Sequence, residues 1–254
     1  MATFLDKNRE LPRANPSLPT RRGLEAIILA GGLGTCLQSV VSDVPKCMAP
    51  VNGIPFITFI IDDLHKQGVD RFIFSLGYKS DIIIDYVDEK YKHLDKVFVI
   101  EKEQLGTGGA IKESCKSLFY KNALVINADT FFPVDVQELA DIHIKQKATC
   151  TLALKQMTNF SRYGVVETDT MARITAFKEK QFTEKGLING GIYVLNAKKF
   201  LKENLPNIFS FEKDFLEKNI STHKLLGVAF DKYFIDIGIP EDYERAQREL
   251  VIKN

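Results

Sequence analysis

The sequence predicts an α/β protein with a mostly parallel sheet, helices on both faces and a β-rich section in its second half. Between residues 25 and 147, short apolar runs alternate with stretches of helical periodicity. Closely spaced strand-like segments follow between residues 148 and 195. The chain has 254 residues, of which 45% are hydrophobic, so it can bury one substantial core.

The first half is predicted to consist of strand–helix units. Its strands are indicated by four apolar runs, at residues 25–30, 72–76, 96–100 and 123–127. Its helices are indicated by periodic apolar residues at 55–67, 80–91, 108–118 and 135–147. In the first helix, Pro55 suits the first helical position and Gly68 suits the position just after the end.

The second half is predicted to be rich in strands and to end in a helix. The strand-like segments are residues 148–154, 163–168, 172–177 and 187–195. A C-terminal helix is expected to begin at Pro240. Residues 1–23 contain three prolines and few apolar side chains. They are predicted to form a flexible arm before one domain at residues 24–254.

Composition excludes several classes of protein. A net charge of +1 argues against a surface for nucleic acid or acidic lipid. No apolar stretch of about 18 residues predicts a membrane span, and the N-terminus lacks a secretory signal. The four cysteines contain no C-x-x-C pair and no zinc spacing. We therefore expect reduced thiols and a cytoplasmic location.

A glycine loop after the first strand indicates a phosphate site. The apolar run at residues 26–30 ends at the sequence Gly-Gly-Leu-Gly-Thr, residues 31–35. A group of prolines follows, with Lys46 among them. Glycines let backbone N–H groups approach a ligand closely, and a fixed lysine adds positive charge, so this segment is suited to holding phosphates.

Polar residues follow each predicted strand of the first half. Ligands of open α/β sheets bind outside the carboxyl ends of the strands, so these segments should converge at one edge. Asp129, after the fourth strand, is a candidate Mg²⁺ ligand, although a carboxylate there also suits a turn. Asp236 is a lone acid in an apolar run, and a cation shared with Asp129 would offset its burial.

Two other nucleotide-binding motifs fail. Neither glycine cluster supplies the G-x-x-x-x-G-K-[ST] pattern of a Walker A loop. A dinucleotide fingerprint needs a third glycine where Leu37 stands. It also needs an acid about 20 residues further on, where residues 52–55 read as a turn.

With these segments assembled, the chain resembles the sugar-1-phosphate nucleotidyltransferases. The central match is to the pattern L-A-G-G-x-G-T-R-L…P-K-x-M-x-P-V-x-G-x-P, here residues 29–37 and 45–55. Further matches follow in family order up to about residue 243. They are residues 106–110, 127–129, 163–166, 177–180, 189–193 and 236–240.

The resemblance implies a Rossmann-like fold of the nucleotide-diphospho-sugar transferase type, a mixed, mostly parallel sheet flanked by helices with a β-rich sugar-binding section. It implies that Mg²⁺ is held by Asp129 and Asp236, which with Lys46 form the catalytic group. The nucleotide-binding residues that it implies are Leu29, Gly31, Gly32, Gly34, Thr35, Cys36, Gln104, Gly108 and Gly109. Those of the sugar-phosphate pocket are Gly164, Glu179, Lys180 and Asn189.

The resemblance is strongest to the branch that transfers GMP from GTP to a heptose 1-phosphate and releases pyrophosphate. Its product would be a nucleotide-sugar for capsule, S-layer or lipopolysaccharide glycans. The implied partners are GTP and the sugar 1-phosphate, with no nucleic acid and no membrane; a homo-oligomer stays open. The alternative within the class is a uridylyl-, cytidylyl- or thymidylyltransferase acting on another hexose 1-phosphate.

Two positions depart from the family pattern. Cys36 replaces the arginine that would face the triphosphate, and a thiol cannot make a bidentate phosphate contact. Cys47 replaces the usual proline, which reduces the rigidity of the lysine loop. Three interpretations follow: Arg21 or Arg22 compensates, the enzyme is slow, or the chain is a nucleotide-binding homologue without turnover.

Overall fold

The structure is a computed structural model that describes residues 23–32, 37, 41 and 43–250. The predicted arm at residues 1–23, with Arg21 and Arg22, lies outside the described residues except for Gly23, and so do Gly34, Thr35 and Cys36. Those expectations stay predictions.

The elements of the described part alternate as the sequence predicts. Its strands are β1 (Leu24–Ala30), β2 (Pro50–Val51), β3 (Ile54–Pro55), β4 (Val69–Leu76), β5 (Asp95–Ile100), β6 (Asn122–Asn127), β7 (Thr130–Phe131), β8 (Cys150–Phe160), β9 (Val165–Thr168), β10 (Ile174–Lys178), β11 (Thr183–Asn196), β12 (Leu225–Phe230) and β13 (Ile235–Asp236). Its α-helices are α1 (Ile57–Lys66), α2 (Ser80–Lys90), α3 (Gly106–Ser114), α4 (Val136–Lys145), α5 (Ala197–Phe200) and α6 (Pro240–Glu249).

The first half forms a parallel sheet in the order β6-β1-β4-β5. Strand β1 is apolar almost throughout because both of its faces are covered. Ile28 packs on the same side as Ile60 of α1, whereas Ile27 packs on the opposite side with Ile111 of α3. The prediction of helices on both faces is therefore confirmed.

The second half extends this sheet with mostly antiparallel strands. Strand β11 pairs antiparallel with β6 and with β8, and the β9–β10 hairpin continues along β11. Strand β12 joins the far edge parallel to β8. The sheet has nine strands within the described residues, and the predicted mixed α/β fold with a β-rich section is confirmed.

Helix α1 begins two residues later than predicted. Pro55 does not occupy its first turn but pairs with Pro50 in the short β2–β3 hairpin, and the helix begins at Ile57. Asn52 and Gly53 both have positive φ, the geometry that closes a two-residue hairpin, so Pro55 is drawn into a strand. This hairpin is fixed to α6, whose Tyr243 hydroxyl and Gln247 amide both donate to the Pro50 carbonyl.

Among the described residues, no helix is long and apolar enough to cross a membrane.

A buried histidine gives the fold a pH-dependent stability. His143 of α4 is 1% exposed, and its Nδ1 lies 2.9 Å from Thr151 Oγ1. Burial, and then the charges of Lys199 and Lys121, lower its pKa to about 4. Because the unfolded state takes up this proton first, the free energy of unfolding should fall as the pH drops from about 6.5 towards 4, by about 3 kcal/mol in total.

The substitution His143→Asn should remove the part of this pH-dependent loss of stability that comes from the buried imidazole. We expect the wild type to lose more stability than the variant between pH 7 and pH 4, measured by urea unfolding at each pH. All other titrating groups contribute equally to both proteins, so equal losses would show that His143 does not carry the effect.

Candidate active site

A cavity lies at the carboxyl edge of the parallel strands, where ligands of open α/β sheets bind. Its volume is about 570 Å³. The residues that line it come from strand ends and from the segments after them: 29–32, Lys46, Cys47, Ser75, Glu101, Gln104, 106–107, Ala110, 127–129 and Gly238. The predicted convergence of these segments is therefore observed.

The two acids predicted to share a cation come together beside this cavity. Asp129 follows β6, and Asp236 ends β13. Strands β7 and β13 pair antiparallel, which places Asp236 opposite Thr130. The Ile237 N–H also donates to the Asp129 carbonyl at 3.0 Å. A short two-stranded ladder thus joins two acids that are 107 positions apart (236 minus 129).

Lys46 provides the positive charge at this pair. Its Nζ lies 2.6 Å from Asp129 Oδ2 and 3.9 Å from Asp236 Oδ1. The lysine begins a 3-10 turn, Lys46–Met48, which leads into the β2–β3 hairpin. Hydrogen bonds from α6 to the Pro50 carbonyl hold this hairpin in place. All three groups of the predicted catalytic set therefore lie together.

The environment of Asp236 favours a further cation. Burial, and then the negative charge of Asp129, raise the pKa of Asp236, while Lys46 and the Gly238 N–H oppose this. Two carboxylates that contact the same lysine repel each other, and carboxylate oxygens are the ligands that Mg²⁺ prefers. Mg²⁺ is commonly held by one or two carboxylates together with substrate phosphates, so this pair fits the ion that the resemblance implies.

Two residues that sequence reasoning gave no role also contact Asp236. The Tyr163 hydroxyl donates to Asp236 Oδ2 at 3.2 Å. Burial and the charge of Asp236 raise the pKa of Tyr163, so this hydroxyl stays protonated. Arg162 Nη2 lies 3.9 Å from the same oxygen, and this arginine also pairs with Asp242 of α6. The only signal for Tyr163 was its place in the matched segment at 163–166.

The start of the glycine loop lies where a ligand would meet the sheet. Leu29, Gly31 and Gly32 all line the cavity. A Cβ on Gly31 would come within 2.8 Å of Glu101 Oε1, so a larger residue there would have to displace the end of the Glu101 side chain. A Cβ on Gly32 would meet no atom of the described residues within 4 Å.

The residues expected to read the base occupy two different environments. Gln104 lines the cavity, as expected. Gly108 and Gly109 are buried in α3 and are not among the residues that line it. A Cβ on Gly108 would clash with the Phe209 ring, so the absence of a side chain here lets the segment that contains Phe209 pack against α3. Their contribution to base recognition stays a prediction.

The predicted sugar-phosphate residues gather on the second half of the sheet. Gly164 follows Tyr163, and a Cβ on it would lie 2.4 Å from the Lys178 carbonyl. Glu179 and Lys180, which come next in the chain, are therefore near Gly164, and both are exposed. Asn189 follows Ile188, which pairs with the residue after Gly164. The four thus lie around the start of β9, next to Tyr163, and outside the set of residues that line the described cavity.

A polar network behind Asn189 was not predicted. The Asn189 amide donates to the Tyr193 hydroxyl at 2.7 Å, and this hydroxyl donates to Glu212 Oε1 at 3.1 Å. Glu212 Oε2 accepts from the Thr107 hydroxyl, which lines the cavity. Glu212 belongs to an unpredicted π-helix, Phe211–Leu216. The network connects the two candidate substrate regions through hydrogen bonds between distant segments, which no sequence pattern predicts.

The fold and the paired acids define the class of protein: the chain belongs to the Nucleotidyl transferase family, whose sequence profile matches residues 25–252. Two relatives are described as D-glycero-α-D-manno-heptose 1-phosphate guanylyltransferase. That of Aneurinibacillus thermoaerophilus is 49% identical over 89% of this chain and 98% of its own. That of Campylobacter jejuni is 48% identical over 87% of this chain and 97% of its own.

Solved structures support the same assignment. The crystal structure of HddC from Yersinia pseudotuberculosis has a TM-score of 0.81 and 38% identity, covering 89% of this chain and 99% of its own. A second structure of that protein, complexed with GMP-PN, matches equally well. Over 89% of its length, the protein is therefore similar to one that has been crystallised in complex with GMP-PN.

Proposed function

We propose that this protein transfers GMP from GTP to D-glycero-α-D-manno-heptose 1-phosphate, releases pyrophosphate and yields the GDP-heptose. The observation that carries the proposal is the convergence of Lys46, Asp129 and Asp236 at the cavity of a chain 49% identical to a relative with that activity in its name. The relative is covered almost end to end, so the similarity includes both substrate regions.

The reaction needs positioning and charge neutralisation rather than a covalent enzyme intermediate. An oxygen of the sugar phosphate attacks the α-phosphorus of the triphosphate, and the bond to the β-phosphate breaks as pyrophosphate leaves. Lys46 places a positive charge where negative charge develops in the transition state. We infer that Asp129 and Asp236 hold Mg²⁺, which when bound neutralises phosphate charge. Tyr163 and Arg162 hold the Asp236 carboxylate in place.

The sugar phosphate is proposed to bind beside the acids, on the β-rich half of the sheet. Lys180 is exposed and free to meet the phosphate, and Glu179 can accept hydrogen bonds from sugar hydroxyls. Asn189 is oriented by Tyr193 and by its own bond to the Gly191 N–H. This arrangement directs the sugar phosphate towards the triphosphate over the glycine loop.

A panel of triphosphates crossed with sugar 1-phosphates, with and without Mg²⁺, tests the proposal. We expect pyrophosphate release to be fastest with GTP and the heptose 1-phosphate, and to need the metal. A preference for UTP, CTP or dTTP would instead establish the alternative within the class. Binding of GTP measured by calorimetry without any pyrophosphate release would establish a nucleotide-binding homologue without turnover.

The arginine missing at position 36 gives a prediction about rate. Cys36 replaces a residue that in the resembling family faces the triphosphate. We expect Cys36→Arg to raise kcat with GTP by about 10²-fold, since one well-placed stabilising donor is worth roughly 10²–10³ in kcat. Cys36→Ser is the control, because it removes the thiol without adding charge. Equal turnover in the wild type and Cys36→Arg would show that this chain does not need the arginine.

A further inference from the structure

A single carboxylate joins the two candidate substrate regions. Glu212 Oε1 accepts from the Tyr193 hydroxyl at 3.1 Å, and Oε2 accepts from the Thr107 hydroxyl at 2.8 Å. The Ser210 hydroxyl also donates to Oε2, at 3.3 Å. These three partners are neutral hydroxyl groups, and hydrogen bonds from them to a carboxylate are stronger than those between neutral groups. Glu212 therefore fixes the position of each hydroxyl.

The Tyr193 hydroxyl extends this constraint to Asn189. Tyr193 is fully buried, and its hydroxyl accepts the Asn189 amide N–H at 2.7 Å. Burial, and then the charge of Glu212, raise the pKa of Tyr193, so the hydroxyl keeps the proton that it donates. The amide oxygen of Asn189 accepts the Gly191 N–H at 3.0 Å. Both ends of this amide are thus fixed, and one N–H and one lone pair remain for a sugar hydroxyl.

A bulge in β11 makes the contact between Asn189 and Tyr193 possible. Four positions along a straight strand span about 13 Å, more than two side chains that stand side by side can bridge. On β8, Asn189 is opposite Leu154. Tyr193 is opposite Leu152, so four positions of β11 face two of β8. Gly191 lies inside this irregularity with a φ of 73°. Bulges of this kind redirect side chains, and here the bulge brings the amide to the hydroxyl.

On its other side, Glu212 fixes the first turn of α3. Thr107 lines the cavity, and its hydroxyl accepts the Phe211 N–H at 2.8 Å while it donates to Glu212. In the same turn, the Gly108 N–H donates to the Phe209 carbonyl at 2.9 Å. Glu212 stands near the start of a π-helix, a rare element that is frequent at functional sites. The wall of the cavity and the buried tyrosine therefore depend on one carboxylate.

We propose that Glu212 is a positioning residue that sets the distance between the two substrates; this inference rests on the proposed guanylyl transfer. It orients Asn189 for the sugar 1-phosphate through Tyr193, and the first turn of α3 for the triphosphate through Thr107. The attacking phosphate oxygen must lie about 3–3.5 Å from the α-phosphorus, and a misplacement of about 1 Å can lower the rate about 10²-fold. A carboxylate bonded to both regions keeps their separation constant.

The substitution Tyr193→Phe should weaken the sugar end alone. It removes the hydroxyl that holds Asn189 and leaves the bond between Thr107 and Glu212 in place. We expect KM for the heptose 1-phosphate to rise about 5- to 10-fold, the effect of losing one hydrogen bond. KM for GTP should stay near the wild-type value. Pyrophosphate release, measured while each substrate is varied in turn, gives both constants.

The substitution Glu212→Gln should weaken both ends. An amide has one acceptor oxygen where the carboxylate has two, so either the Tyr193 or the Thr107 hydroxyl loses its acceptor. The other hydroxyl exchanges a charge-assisted bond for a weaker neutral one. We therefore expect KM to rise for both substrates and kcat to fall about 10-fold, since the two are no longer held at a fixed separation.

Tyr91→Phe is the matched control for the buried hydroxyl. Tyr91 is 4% exposed, and its hydroxyl donates to Asp62 Oδ1 at 2.7 Å. It is not among the residues that line the cavity. Tyr91→Phe and Tyr193→Phe should lower the free energy of unfolding in urea by similar amounts, because each removes one hydrogen bond to a carboxylate. Tyr91→Phe should keep both wild-type KM values.

A purely structural network would give a different result. If Tyr193→Phe and Glu212→Gln lose stability but keep both wild-type KM values, the inference is overturned and guanylyl transfer stands. An equal rise of both KM values in Tyr193→Phe would also overturn it, since the tyrosine would not serve the sugar end alone. The rise in unfolding temperature that each substrate produces reports binding independently of turnover. If the wild type uses neither GTP nor the heptose 1-phosphate, the proposed function fails and the inference with it.

Discussion

Replacing Asp236 by asparagine is expected to lower turnover by about 10³-fold, which corresponds to about 4 kcal/mol of lost charge stabilisation. The substitution keeps the shape of the side chain, and the amide oxygen can still accept the Gly238 N–H that Asp236 Oδ1 accepts at 2.7 Å. It removes the negative charge that the cation needs. Burial, and then repulsion from Asp129, raise the pKa of Asp236, so removing this charge should not destabilise the folded state.

Thermal unfolding with and without Mg²⁺ separates the loss of metal binding from a loss of structure. Without the metal, Asp236→Asn should melt at or above the wild-type temperature, and the stabilisation that Mg²⁺ gives the wild type should be reduced. The control is Asp231→Asn, five positions earlier, because Asp231 is fully exposed and paired only with Lys155 among the residues described. Wild-type turnover in Asp236→Asn would remove this acid from the proposed site.

The parallel half of the fold and its ligand edge could be predicted because their signals are local. A buried parallel strand is a continuous apolar run, and the residue after it lies at the carboxyl edge whatever the rest of the chain does. Asp129 needed no more than this. Asp236 was recognisable because an acid inside an apolar run must have a partner, and the β7–β13 ladder supplies the proximity.

The parts that could not be predicted depend on packing between distant segments. Strand β12 is a six-residue apolar segment that pairs with β8. Because a short apolar run suits either a helix or a strand, tertiary contacts decide which of the two it forms. Glu212 meets Thr107 across 105 positions, and no pattern in the sequence connects them. Gly108 matched a nucleotide motif, yet a Cβ at this position would clash with the Phe209 ring. A motif match therefore identified the region better than it identified the role of each residue.

Replacing Lys46 by glutamine should change turnover and metal affinity in opposite directions. Its ammonium group lies 2.6 Å from Asp129 and 3.9 Å from Asp236, so it occupies the same negative field that a divalent cation would enter. Without this competing charge, the two acids should bind Mg²⁺ more tightly, because like charges at this range repel. Turnover should nevertheless fall by about 10²–10³-fold, since the transition state loses a positioned positive charge.

Lys155→Gln is the matched control for this prediction. Lys155 is as buried as Lys46, each side chain being 17% exposed, and it also pairs with an aspartate, Asp231, at 3.1 Å. Calorimetric titration with Mg²⁺ and a pyrophosphate-release assay on both variants give the two quantities. Lys155→Gln should leave both near the wild-type values. If Lys46→Gln lost metal affinity together with turnover, the lysine would be holding the acids in place for the metal rather than competing with it, and its assignment to the developing phosphate charge would have to be withdrawn.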